Sequence, residues 1–190
     1  MDQQHANLRA LIYETEEEYQ HFRQLVINTV LATDIVDKQL KALRNNRWQT
    51  AFTVRPPSAE DAQVTQNRKA TIVIEHMIQA ADVAHTMQHF NIYRKWNERF
   101  FHECYQAYLD GRAEKDPTEG WYEGELGFFD FYIIPLAKKL QECGVFGASS
   151  DENLTFAMKN RRLWEERGRE VVAEMIEKFR PRGETSDSAP

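Results

Sequence analysis

The chain has 190 residues, 12% of them aromatic and 28% charged, which is enough length and apolar content to bury a core and excludes a disordered or fibrous protein. Its 24 Lys and Arg against 30 Asp and Glu leave a net charge of −6, so no basic face is available for nucleic acid or anionic lipid. Two cysteines, Cys104 and Cys143, make neither a disulfide framework nor a paired zinc spacing, and the opening residues contain no apolar signal core.

In chain order the signals are helical. Thr15 with Glu18 has capping-box form, and Phe22, Leu25, Val26, Thr29, Val30 and Thr33 keep the spacing of one buried face, predicting a helix to about Asn46. Residues 49–67, with Pro56, Pro57 and Ser58, read as a loop. A second helix begins near Arg68 and is strongly apolar through Ile72, Ile74, Met77, Ile78 and Ala80. A third covers about Ile92 to Leu109, and Gly111 to Gly124 is a loop. An apolar helix follows from about Glu125 to Glu142, with a kink expected at Pro135. The apolar stretch from Phe128 to Ala137 inside it contains Asp130 and is too short to cross a bilayer. Ser149 and Glu152 again have capping-box form, opening a last long helix that ends near Phe179. The polar tail, 180–190, is expected to be disordered, leaving a domain over 1–179. With no repeat and no convincing strand, the fold class is all-α.

The most informative residue by itself is Asp82, a carboxylate among apolar neighbours on the second helix. Burying it costs several kcal/mol unless a cation or hydrogen bonds compensate. A divalent metal would do so; an arginine partner or a position at the helix end would do so as well. His85 and His89 lie three and seven residues on, at helical spacing, which reads more simply as a polar stripe than as a metal cluster. No H-E-x-x-H helix, glycine-rich phosphate loop or G-x-S-x-G turn is present.

Five segments in order carry a family resemblance. Asn28-Thr29-Val30-Leu31-Ala32-Thr33-Asp34 resembles an I-L-A-T-D helix, and Ala80-Ala81-Asp82-Val83-Ala84-His85 a C-A-D-L-S-N segment. Tyr93-Arg94-Lys95-Trp96-Asn97-Glu98-Arg99 is similar to Y-R-Q-W-T-D-R, and Glu125-Leu126-Gly127-Phe128-Phe129-Asp130 to Q-V-G-F-I-D, with Pro135-Leu136 following. Asn160-Arg161-Arg162-Leu163-Trp164 resembles N-R-x-x-W. These motifs belong to the class I cyclic-nucleotide phosphodiesterases, and the G-E-L-G-F-F-D-F-Y-I-I-P-L run is most similar to the phosphodiesterase domains fused to guanylate cyclases in diatoms and other stramenopiles.

The resemblance implies the C-terminal part of an all-helical HD-type catalytic domain that hydrolyses the 3′ phosphoester of cyclic GMP or cyclic AMP. It implies two metals, zinc and magnesium, with Asp82 as a late ligand of the first. Phe128 matches the aromatic that stacks on the purine, and Glu125 the residue that reads the purine edge. The plain alternatives are core packing for Phe128 and a helix-start carboxylate for Glu125. His85 matches a pocket position that is often asparagine, while Phe100 and Cys104 match pocket walls. Tyr93 and Trp96 read as helix packing, and Asp34 as a surface or capping residue or a distant support of the metal site.

Two departures matter. The family's general-acid histidine and H-D-x-x-H segment should lie well before Ala32, and the 31 residues that precede it contain neither. The chain by itself is therefore expected to be inactive, to lack a catalytic residue, and to need the N-terminal half of the domain as its partner. Glu125 stands where glutamine is common; an ionised carboxylate only accepts hydrogen bonds, which favours cyclic GMP. The rival reading is a non-catalytic helical remnant that binds a partner or forms a homodimer; a silent module that only binds cyclic nucleotide ranks last. The expected location is cytoplasmic, with no direct membrane insertion and any membrane tether supplied by segments outside the chain.

Overall fold

The computed structural model describes residue 9 and residues 11–53 and 59–180, without the side chains of residues 59–63, 148 and 150. Among the described residues there is no strand, and no helix is long and apolar enough to cross a membrane. The chain divides into two compact units, Met1–Asp82 and Val83–Pro190.

In the first unit, α1 spans Glu16–Ala32. The predicted capping box forms: the Thr15 hydroxyl accepts from the Glu18 N–H, and Glu18 Oε2 accepts from the Thr15 N–H, both at 3.2 Å. Glu16, Glu17 and Glu18 then suit the positive end of the helix dipole. The helix stops at Ala32 and does not run on to Asn46. Asp34 Oδ1 accepts from the N–H groups of Val36 and Asp37, and Asp37 Oδ1 from those of Gln39 and Leu40. These local bonds offer the backbone an alternative to the helix ladder and start α2, Lys38–Thr53, afresh. The carbonyls released at the end of α1 are met from a distance. Arg44 donates to the Leu31 and Asp34 carbonyls, and Gln79 to that of Ala32.

The third helix, α3, covers Ala59–Asp82, so it begins well before Arg68 and shortens the expected loop; residues 54–58 lie outside the described residues. The extra turns are rich in Ala, Glu and Gln, all good helix formers. Ile72 and Ala80 are buried as expected, whereas Ile74, Met77 and Ile78 are partly exposed. The buried face also carries Glu75, His76 and Gln79. Arg47 donates to both carboxylate oxygens of Glu75, at 2.9 and 3.0 Å, so this buried charge is paired in fork geometry.

In the second unit a 3₁₀ turn, Ala84–Met87, leads to α4, Phe90–Leu109. A short α5, Trp121–Phe128, runs into a π-helical turn, Phe129–Ile133, and then α6, Ile134–Cys143. The single kinked helix expected over 125–142 therefore begins four residues earlier and relieves Pro135 differently. Pro135 has no N–H for the Phe131 carbonyl, and the wider turn places the Ile134 N–H on the Phe129 carbonyl instead. The last helix, α7, spans Ser150–Phe179, with the expected end. Its expected capping box is absent, because the Ser149 side chain makes no cap bond; a 3₁₀ turn, Gly147–Ser149, leads into the helix instead. Of the predicted tail, only Arg180 falls among the described residues.

The core of this unit is aromatic. Tyr93, Phe101, Phe129 and Trp164 are fully buried, with Tyr93 edge-on to Phe129 and Trp164 at centroid distances of 5.3 and 5.6 Å. Gly168 lies under this cluster: a Cβ there would stand 2.9 Å from ring atoms of both Trp164 and Tyr122.

Candidate functional site

Helix α4, the loop 110–120 and the start of α5 enclose a cavity of about 370 Å³, lined among others by Phe100, Cys104, Lys115, Glu119, Trp121 and Glu125. Its floor depends on Gly120, whose φ of +86° lies in the left-handed region and lets the loop turn directly into α5. The cavity thus brings together three of the residues singled out from the sequence, Glu125, Phe100 and Cys104.

Glu125 is its most unusual group. Its Oε2 accepts a 2.6 Å hydrogen bond from the Tyr93 hydroxyl, and the nearby Asn97 side chain also favours the charged carboxyl. Asn97, itself buried, accepts on Oδ1 from Trp121 Nε1–H at 3.2 Å. Burial is the dominant influence on Glu125 and pushes its pKa up to about 7, against the opposing pull of Tyr93 and Asn97. Burial, and then the charge and hydrogen bond of Glu125, push the Tyr93 phenol well above its ordinary value. The Cys104 thiol is also raised, by burial and by Glu103.

The other candidates stand apart from this cavity. Phe128 lies one turn beyond Glu125 on α5 and stacks on Tyr132, with centroids 5.4 Å apart and planes at 17°; it is not among the cavity's lining residues. Phe100, by contrast on the cavity wall, is 56% exposed and meets Trp121 at 5.5 Å. His85 sits half-buried in the 3₁₀ turn with its ring 6.1 Å from Trp96, and burial lowers its pKa. That turn is clamped by Asn160, which donates to the Thr86 and Gln88 carbonyls at 2.9 and 2.7 Å.

Asp82 is the last residue of α3 and is exposed, so the burial inferred from its neighbours does not hold. The polar residues that this helix does bury are Glu75, His76 and Gln79. Asp82, His85 and His89 do not share a helix face either: α3 has ended, His85 is in the 3₁₀ turn, and His89 Nδ1 caps α4 by accepting from Asn91. Asp34 holds the turn before α2 through the Val36 and Asp37 N–H groups, and it is Asp37 that caps the helix. Among the described residues no three His, Cys, Asp or Glu side chains converge to hold a metal ion. A zinc centre takes about four ligands, so the described residues do not by themselves fit one.

Sequence reasoning missed the partnership of Tyr93, Asn97 and Trp121 with Glu125. The signal available was a tyrosine and an asparagine four apart, on one face of α4.

An all-helical chain with a carboxyl-walled cavity behind an aromatic helix defines a class, and comparison with known proteins supplies the family. Residues 1–146 match the 3'5'-cyclic nucleotide phosphodiesterase family, and the chain belongs to it. The matched span ends before the Asn160–Trp164 segment. A curated relative is the "Probable 3',5'-cyclic phosphodiesterase pde-3" of Caenorhabditis elegans, 25% identical over 162 residues, covering 78% of this chain. The chain spans about a fifth of that relative, 22% of its length.

Proposed function

We propose that this chain forms the base-receiving part of a cyclic-nucleotide phosphodiesterase domain, which hydrolyses the 3′ phosphoester of cyclic GMP or cyclic AMP to the 5′-nucleotide. The observation that carries this reading is the half-buried Glu125 carboxyl on the wall of a cavity of about 370 Å³, in a chain of this family. In this reading Glu125 reads the purine edge and Phe128 stacks on the base from one turn along the same helix. Phe100 and His85 border the base. Ionised Glu125 offers acceptors only, which suits the adjacent N1–H and N2–H₂ donors of guanine and favours cyclic GMP. The 124–136 run is read as that of a phosphodiesterase domain similar to those fused to guanylate cyclases in stramenopiles.

Asp82 is proposed as one ligand of a two-metal centre, zinc and magnesium, completed by residues from outside this chain; its exposed place at the end of α3 leaves the carboxylate accessible. The isolated chain is proposed to be inactive and to act with an N-terminal partner segment.

The test is hydrolysis of cyclic GMP and cyclic AMP by the purified chain with zinc and magnesium, beside a domain completed by an upstream H-D-x-x-H segment. The chain alone should give no turnover. In the completed domain Asp82→Ala should lower kcat by on the order of 100-fold or more, and Glu125→Gln should change the ratio of the two substrates. Turnover by the chain alone, abolished by Asp82→Ala, would overturn the incomplete-centre account.

A second reading, a helical partner-binding or dimerisation module without catalysis, is favoured by the apolar residues exposed in the first unit, including Val30 at 64% and Leu43 at 59%. A completed domain that hydrolyses neither nucleotide would favour it.

A further inference from the structure

The first unit holds a cavity of its own, of about 220 Å³, lined by residues of α1, α2 and α3. Leu31, Leu40 and Leu43 make it partly apolar. Its polar lining carries more positive than negative charge. Arg44 and Arg47 stand three residues apart on α2, close enough to repel, and both line the cavity. Among the described residues Glu75 is the one carboxylate that lines it with them.

That carboxylate is already engaged. The fork to Glu75 is made by Arg47 Nη1 alone, one nitrogen serving both oxygens, so Arg47 Nε and Nη2 have no acceptor among the described residues. Arg44 is only 9% exposed, yet it meets no carboxylate there. Its Nη1 and Nη2 donate to the Leu31 and Asp34 carbonyls, and its Nε–H has no acceptor among the described residues. Carbonyl oxygens take hydrogens but carry no net charge, so a buried guanidinium is left without a counter-anion. Asn28, also in the lining, accepts on Oδ1 from Gln24 and has its amide N–H₂ left to give.

We propose that this cavity is a binding site for a small amphipathic carboxylate, whose anionic head takes the unused donors of Arg44, Arg47 and Asn28 and whose apolar body lies on Leu31, Leu40 and Leu43. Guanidinium groups match a planar oxyanion with paired hydrogens, which suits a carboxylate head. An inorganic anion would leave the leucines wet, and an uncharged apolar molecule would leave Arg44 unbalanced. The volume is below the roughly 300 Å³ at which drug-sized sites begin, which limits the body to a short chain or a single ring. The same chemistry is supplied by a free carboxylic acid or by an acidic side chain of the segment that completes the domain. Nothing in it depends on the cavity at Glu125 being a base pocket.

The experiment is a titration of the full chain with sodium hexanoate near neutral pH, followed by the ¹⁵N-resolved Nε–H signals of Arg44 and Arg47. Both signals should shift together and saturate with a Kd on the order of 1 mM, as suits a ligand of so few atoms. Hexanol and inorganic phosphate each lack half of what the site recognises and should bind roughly tenfold more weakly or worse. Arg44→Lys keeps the charge without the planar donors and should weaken hexanoate by roughly tenfold. Leu43 is largely exposed, so Leu43→Glu sets a carboxylate beside the cavity without disturbing packing. That variant should abolish binding, and it serves where the Arg44 variant does not fold. In the domain completed by its upstream segment, persistent binding identifies a free carboxylate as the ligand. An Arg44 signal already at its bound position, and unmoved by hexanoate, identifies an acidic side chain of that segment. Equal binding of hexanol or of phosphate overturns the assignment of ligand class. Arginine signals of the folded chain that stay still at on the order of 50 mM hexanoate overturn the site.

Discussion

A carboxyl that titrates near 7 in the folded chain and near 4.5 when exposed binds its proton more tightly when folded. Its contribution to stability is therefore fully present below about pH 4.5 and is lost as pH rises through about 7. The size is at most about 3 kcal/mol, lessened by the water that still reaches this half-buried group. Urea unfolding of the wild type and of Glu125→Gln should accordingly converge at low pH and separate toward neutrality, with the wild type losing ground until about pH 7 and then running parallel. A constant difference across the range would show that Glu125 is not held in a desolvated site. At this scale the sequence was a partial guide. Glu125, Phe100 and Cys104 were legible as candidates, and the structure gathers them at one cavity. The restraint on Glu125 was not legible, because Tyr93 and Asn97 come from a different helix and nothing local announces a contact 32 residues away. The burial expected of Asp82 failed for a related reason. Apolar neighbours along a helix say which face is inward only while the helix continues, and this one ends at Asp82.

Among the elements, α7 is constrained at its middle by the two rings over Gly168. Neither ring is free to retreat: Trp164 Nε1–H donates to the Tyr122 carbonyl, the Tyr122 hydroxyl donates to the Glu165 carbonyl, and the Arg169 guanidinium lies over the Tyr122 ring at 4.1 Å. Alanine is the better helix former by ~1 kcal/mol, yet overpacking here costs about 1–3 kcal/mol, so Gly168→Ala should destabilise by up to about 2 kcal/mol. The check is a lower urea midpoint at unchanged slope; a stabilised variant would mean that the rings move aside. Helix existence was legible from apolar spacing and from the Thr15–Glu18 box. Boundaries were less so. Asp34 and Asp37 break a continuous apolar stripe by bonding to backbone two and three residues on, a competition that periodicity does not register. Ser149 and Glu152 fit the capping pattern but sit in a 3₁₀ approach that leaves the hydroxyl without a cap bond.

For the molecule as a whole, the all-α class followed from the residues, because strands would need alternation that the chain nowhere sustains. Less readable was how unevenly the two units cover their apolar residues. In the first unit Val26 and Val30, one turn apart on α1, are 42% and 64% exposed, and Val36 is 85% exposed. Neighbouring exposed aliphatics of this kind favour association. The purified chain should therefore show a sedimentation coefficient that rises with concentration, and Val30→Glu combined with Leu43→Glu should restore monomer behaviour. A chain that stays monomeric at high concentration would show that these residues form no cohesive patch. The net charge of −6 opposes association, so added salt should strengthen it.

The π turn between α5 and α6 holds one residue more than an α-helical path would need. The helix axis continues through it while the angular phase slips by about one residue, roughly 100°. The side that α5 turns to the cavity and the side that α6 buries through Leu136, Ala137 and Leu140 are thereby set independently of each other. Across 129–133 the number of residues, and not only their chemistry, is therefore specified. Losing a single codon from 129–133 would wind every later position of α6 round the axis and turn its apolar side out of the core.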